Sequence, residues 1–208
     1  MSPRPAWRGR LHQVAFLVSV PAGVALVAAA GTALARVGTL IYAVSLSGMY
    51  AASAAFHRID WEPRARRWMR RLDHSMIYML IAGTYTPFSL LVLEGSWSVV
   101  VLSVVWTGAL FGIVWKLSTS RLPALGAALY IVLGWVAIVA LPAIVGRLSV
   151  VQIVLLFTGG ILYTAGSVIL LRRRPDPNPT VFGYHEVWHS LVVAASVCHY
   201  ALILMIVL

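Results

Sequence analysis

A bundle of α-helices that crosses a membrane seven times is the fold predicted for this chain, and three observations predict it. The 208 residues are 61% hydrophobic and 11% charged, with a mean hydropathy of +0.89. A water-soluble domain carries about 45–50% apolar and about 25% charged residues. Seven stretches approach the roughly 20 apolar residues that a helix needs to cross about 30 Å of hydrocarbon. The Lys and Arg residues fall between these stretches and favour every second gap.

The elements follow in order. The first stretch covers about 11–34 and is preceded by Arg4, Arg8 and Arg10. It ends in Ala33-Leu34-Ala35, which imitates a signal-peptidase site, but its apolar run exceeds the roughly 7–15 residues of a signal peptide, so it is read as a span. The second, about 37–57, closes on His57 in SAAFHR. Arg58, Arg64, Arg66, Arg67, Arg70 and Arg71 then lead into the third, about 74–93, which Asp73 opens in RRLDHS. The fourth, about 97–115, is followed by Lys116 and Arg121. The fifth and sixth cover about 124–145 and 149–171, and Arg172, Arg173 and Arg174 precede the seventh, about 183–207. The connections are short, so the whole chain, 1–208, is one transmembrane domain without a clear repeat or low-complexity segment.

With seven spans, fourteen of the sixteen basic residues share one side, and only Arg36 and Arg147 lie on the other. The positive-inside rule then puts the N-terminus in the cytoplasm and the C-terminus outside, in a membrane of the bacterial cytoplasmic (inner) type. A missed span would scramble this alternation. The net charge of +10 would suggest a nucleic-acid partner in a soluble chain; here it sets topology, and no nucleic acid is expected. The expected partner is membrane lipid, as environment and as possible substrate. The Arg64–Arg71 run reads as a solvated topology signal, or as an interfacial turn drawn to anionic lipid with Trp61 and Trp68 at headgroup level. The Gly and Ala residues of the first and fifth spans read as close helix packing. Cys198, the single cysteine, excludes an intramolecular disulfide framework.

Ionisable residues at membrane depth are costly and mark a site by default. His57, Asp73, His185 and His189 all fall at the cytoplasmic ends of their spans, at one depth. His185 and His189 are four apart, so both imidazoles face one side of a helix. Ser53 and His57 share that spacing, which sets a hydroxyl one turn deeper than the histidine. Three histidines with an open fourth position make a catalytic type of zinc site. A water in that position is acidified towards a pKa of about 7, and Asp73 is placed to orient it or take its proton. His199 lies ten residues beyond His189, about 15 Å along the axis, and is read as a polar contact inside the bundle or a residue of a proton or substrate path.

HEVWH, residues 185–189, matches the HExxH pattern of zinc proteases. A soluble-type protease takes its third ligand further along the chain, where His199 is out of reach and no acidic residue follows. An intramembrane protease takes a distant Asp, but here Asp73 precedes the histidine pair, within Leu72-Asp73-His74. Glu186 sits 100° round the helix from His185 and is expected to face a neighbour or the interface.

Three separated motifs, Ser53-x-x-x-His57, Asp73 in RRLDHSMIYMLIAGTYTPF and His185-x-x-x-His189, resemble the hemolysin III family. That family lies within the superfamily of progestin and adiponectin receptors, with alkaline ceramidases as distant relatives. The resemblance covers essentially the whole chain. It implies zinc on His57, His185 and His189, with Asp73 and Ser53 around the bound water and Glu186 outside the pattern. GTYTP at 83–87 is similar to the family's third helix, where Pro87 would introduce a kink. Three functions follow as expectations: a zinc hydrolase of lipid amide or ester bonds, with Asp73 as base and Ser53 as hydrogen-bond donor; a receptor-like or membrane-homeostasis protein with structural zinc; and the cytolytic pore of the family name. No span carries the charged stripe that an aqueous pore needs.

Overall fold

The computed structural model describes residues 5–118 and 123–208, without the side chains of 123–125 and 127. Arg4 and Arg121, both part of the charge alternation, lie outside the described residues. The described residues are all helical apart from turns and one isolated bridge, Asn178 with Phe182. The elements are α1 (Arg10–Ala29), α2 (Ala33–Arg58), α3 (Pro63–Val92), α4 (Ser96–Ser118), α5 (Pro123–Gly134), a 3₁₀ turn (Val136–Ile138), α6 (Leu141–Val145), α7 (Val150–Arg172) and α8 (Tyr184–Val207). Among the described residues, α1, α2, α3, α4, α7 and α8 are the six helices long and apolar enough to cross a membrane. Their outer faces carry exposed apolar side chains such as Leu17, Val24, Phe111, Val154 and Ile161. This is a membrane protein.

Several boundaries depart from expectation. The first apolar run is split: α1 stops at Ala29, and Thr32 caps α2 by accepting the amide of Ala35 at 3.1 Å. The Ala33-Leu34-Ala35 stretch is therefore the first turn of α2. Most of the arginine-rich connection is helical too, because Pro63 at the first position pre-sets the helical backbone. Arg66 stacks over Phe56 and Arg71 over Trp68 along that extension, and Asp73 lies in the interior of α3 rather than at its start.

The fifth predicted stretch is broken into α5, the 3₁₀ turn and α6. Gly134 ends α5, and Pro142 in the first turn of α6 has no amide hydrogen to continue a helix. The polar groups freed by the break are met by one side chain of α3. The Tyr85 hydroxyl donates to the Gly134 carbonyl at 2.9 Å and accepts from the Ala137 amide at 2.8 Å. Broken backbone at membrane depth is tolerated where neighbouring groups satisfy it in this way.

Two apolar clusters fill the bundle. One joins α3, α4 and the α5–α6 region around Tyr78, Tyr85, Phe88, Val105 and Ile144. The other joins α1, α2, α3 and α8 around Tyr42, Met49, Leu80, Trp188 and Ile203. Where α2 and α3 cross, a Cβ on Gly83 would overlap the side chain of Ser45. Gly83→Ala is expected to destabilise the fold by about 1–3 kcal/mol through overpacking, read as a lower Tm in detergent. Gly23 of α1 packs as closely on Ala43, 2.8 Å from the position of its missing Cβ, whereas Gly134 of α5 faces open space. The expectation of close packing thus holds for that α1 glycine and not for Gly134. At the end away from His57, Arg147 pairs with Glu94, whose carboxyl it holds below the ordinary carboxylate range.

Candidate metal centre

The last turn of α2 brings in His57, and the first turns of α8 bring in His185 and His189. One ring nitrogen from each lies within 4.8 Å of the other two. The Nε2 atoms of His57 and His185 face each other at 3.1 Å, close to the ~3.3 Å edge of a tetrahedron with ~2.0–2.1 Å metal–nitrogen bonds. Among the described residues, His189 Nε2 is buried with no hydrogen-bond partner. Two nitrogens at hydrogen-bonding distance, beside a third without a partner, form a cluster that a single cation would satisfy. Imidazole donors suit zinc among the common ions, so these residues fit the expected metal.

Asp73 of α3 is buried, and its Oδ2 lies 4.0 Å from His57 Nε2. Ser53, also buried, sits one turn from His57 and lines the same cleft as Asp73. All five residues expected to carry chemistry therefore meet at one end of the bundle.

A sixth polar residue joins them. His12, in the first turn of α1, is 2% exposed. Its ring stacks flat on His189, with centroids 3.8 Å apart and planes within 3°, and its Nδ1 lies 2.8 Å from Ser53 Oγ. An apolar cleft begins at His12, Ser53 and Asp73 and runs between α3, α5, α7 and α8 to His199. A second hollow shares Tyr85, Trp135 and His199 with it and continues to Phe88 and Leu202. Asp73 to Phe88 spans about 22 Å along α3 at 1.5 Å per residue, most of the depth of a hydrocarbon layer.

The Haemolysin-III related family matches residues 2–200 of the sequence. This chain belongs to that family. It is 36% identical over 201 residues to Hemolysin-3 of Bacillus cereus, a match covering 95% of this chain and 89% of that protein. It is 36% identical over 189 residues to the Hemolysin-3 homolog of Bacillus subtilis (strain 168), with 89% and 85% covered. The resemblance drawn from the three motifs holds across the chain.

In this haemolysin-III-related protein Glu186 turns away from the histidines. It is 1% exposed and accepts Arg8 Nε at 2.6 Å on one oxygen and the Gly183 amide at 2.9 Å on the other. It faces a neighbour, as its position on the helix predicted, and it is not placed to act as the base of an HExxH protease. Arg8 belongs to an N-terminal segment that also hydrogen-bonds Thr180 and Val181 through the amides of Ala6 and Trp7. Arg8→Ala leaves a buried carboxylate without its cation, a change that costs about 3–5 kcal/mol when the pair is fully buried. Because Arg8 is 22% exposed, a loss near the lower end is expected, read from thermal unfolding in detergent.

His199 stands apart, with Nε2 3.3 Å from the Leu156 carbonyl and its ring on the cleft wall. It lies outside the histidine cluster, as its spacing predicted, and it both contacts the bundle interior and lines the cleft. His12 is the residue of the cluster that sequence reasoning missed. The signal was present: it lies within the first apolar stretch, where an ionisable side chain is costly.

Proposed function

We propose that this protein is a zinc-dependent hydrolase of lipid amide or ester bonds, held in a bacterial-type cytoplasmic membrane. The observation that carries the reading is the apolar cleft that ends on Asp73 and Ser53 beside three histidines. A cleft of this length suits the hydrocarbon chain of a lipid, and its polar end suits the bond to be cut. In the proposed topology the α5–α6 region is one discontinuous crossing, which makes seven, with the N-terminus cytoplasmic and the C-terminus outside. The clustering of Arg8, Arg58, Arg66 and Arg71 at the histidine end supports that orientation.

His57, His185 and His189 would hold the zinc, which when bound supplies a Lewis acid and an acidified water. Asp73, buried 4.0 Å from His57 Nε2, would accept the proton of the attacking water. Ser53 offers a hydroxyl proton to the carbonyl oxygen as it takes up charge. The apolar walls formed by Ile77, Leu80 and Val192 hold the chain and exclude bulk water from the reacting bond. The test is hydrolysis of fluorogenic N-acyl amides and acyl esters by the purified protein in lipid–detergent micelles. Activity should vanish with a zinc chelator and return with added zinc. A zinc-replete protein that cleaves none of these substrates would overturn the reading.

One observation favours a second reading, a receptor-like or membrane-homeostasis protein with structural zinc. The ligands come from α2 and α8, which otherwise touch sparingly, so a metal would clip the two together and add folding free energy. In that case chelation lowers the Tm and no lipid bond is cut.

A further inference from the structure

We propose that His12 is a positioning residue of this site, with two separable tasks: its face fixes the plane of His189, and its Nδ1–H makes Ser53 a dedicated hydrogen-bond donor. The inference rests on the metal-site reading above and goes beyond it by assigning a residue outside the ligand set. A serine hydroxyl carries a single proton and two lone pairs. Ser53 Oγ lies 2.8 Å from His12 Nδ1, and Ser53 and Asp73 line the same end of the cleft. If the hydroxyl proton went to His12, none would be left for the Asp73 carboxylate or for a substrate. With the hydrogen on Nδ1, His12 holds Oγ by donating into it. The serine proton is then free for Asp73 at rest and for a substrate carbonyl when one arrives. The other ring nitrogen agrees with this assignment. Among the described residues, Nε2 of His12 has no hydrogen-bond partner, so a proton placed there would be a buried donor without an acceptor, the costlier kind of orphan.

The second task follows from the stack. The outer partners of a ligand imidazole normally set its orientation and are worth about 10–100-fold in metal affinity. Here one face of the His189 ring is covered by His12 at 3.8 Å, nearly parallel. Tyr50 backs His12 edge-on, with centroids 5.1 Å apart. The α1 helix is thus drawn into the site through one side chain.

The experiment uses the full chain in detergent loaded with Co²⁺, whose visible absorption bands report the groups around the ion. His12→Phe keeps a flat ring against His189 and removes the donor. His12→Asn keeps an N–H near the place of Nδ1 and removes the ring. His12→Phe is expected to hold cobalt within about threefold of wild type but with bands shifted to match those of Ser53→Ala. His12→Asn is expected to keep the wild-type bands and lose about tenfold in affinity. Unchanged bands in His12→Phe would overturn the proposal, and so would both variants changing both readouts alike, the signature of general packing damage. A wild-type chain that takes up no cobalt would overturn the metal reading as well, which separates the two failures.

Discussion

His189→Ala is expected to yield purified protein without zinc, while Asp73→Ala keeps it. His189 is 1% exposed and contributes one of three imidazole nitrogens that lie within 4.8 Å of one another. Changing a residue that only orients a ligand costs about 10–100-fold in metal affinity; removing a ligand costs more, and two imidazoles do not hold the ion through purification. The measurement is elemental analysis beside chelator competition. Truncating a buried ring also leaves a cavity, so the metal-free Tm of the variant should be compared with that of metal-free wild type. Full zinc in His189→Ala would remove it from the ligand set. Zinc lost from both variants would make Asp73 a ligand, which its 4.0 Å separation from His57 Nε2 leaves within reach of a small movement. That result would close the fourth position and favour structural zinc.

Asp73→Asn is expected to abolish lipid hydrolysis while leaving zinc content unchanged. The amide has the shape of the carboxylate and cannot take a proton from water. Removal of a positioned general base lowers kcat by about 10²–10⁴-fold, or about 3–5 kcal/mol in the barrier. KM should change little, because the hydrocarbon walls of the cleft supply the binding. A kcat within about tenfold of wild type would show that another group takes the proton. Ser53→Ala should give a smaller loss on the same assay, since it removes a donor and leaves the base in place.

Membrane residence was legible because it depends on composition: 61% apolar residues cannot be covered by water at any arrangement of the chain. The candidate site was legible for a related reason. In a chain with so few ionisable residues, each one at membrane depth needs a partner, and the i,i+4 spacing of His185 and His189 places two of them together without knowledge of the fold. Ser53 and His57 followed from the same local geometry. Glu186 was correctly set aside because a helix turns 100° per residue.

The features that the primary structure left open all depend on how one helix is rotated against another. His12 belongs to the site because α1 presents that face to α8, and nothing near position 12 encodes the partner at 189. The fifth apolar stretch reads as a continuous span because hydropathy averages over its break. The break itself is stable because Tyr85, on a different helix, meets the two backbone groups it frees. Asp73 lies inside a helix that begins at Pro63, since the arginine-rich approach favours helix once it packs along Phe56 and Trp68. The cleft is the sum of such rotations, with its lining drawn from six helices. Local spacing and the energetic cost of buried charge thus named the candidate residues. The crossing of the helices, which only long-range packing sets, decided which groups meet and what space they enclose.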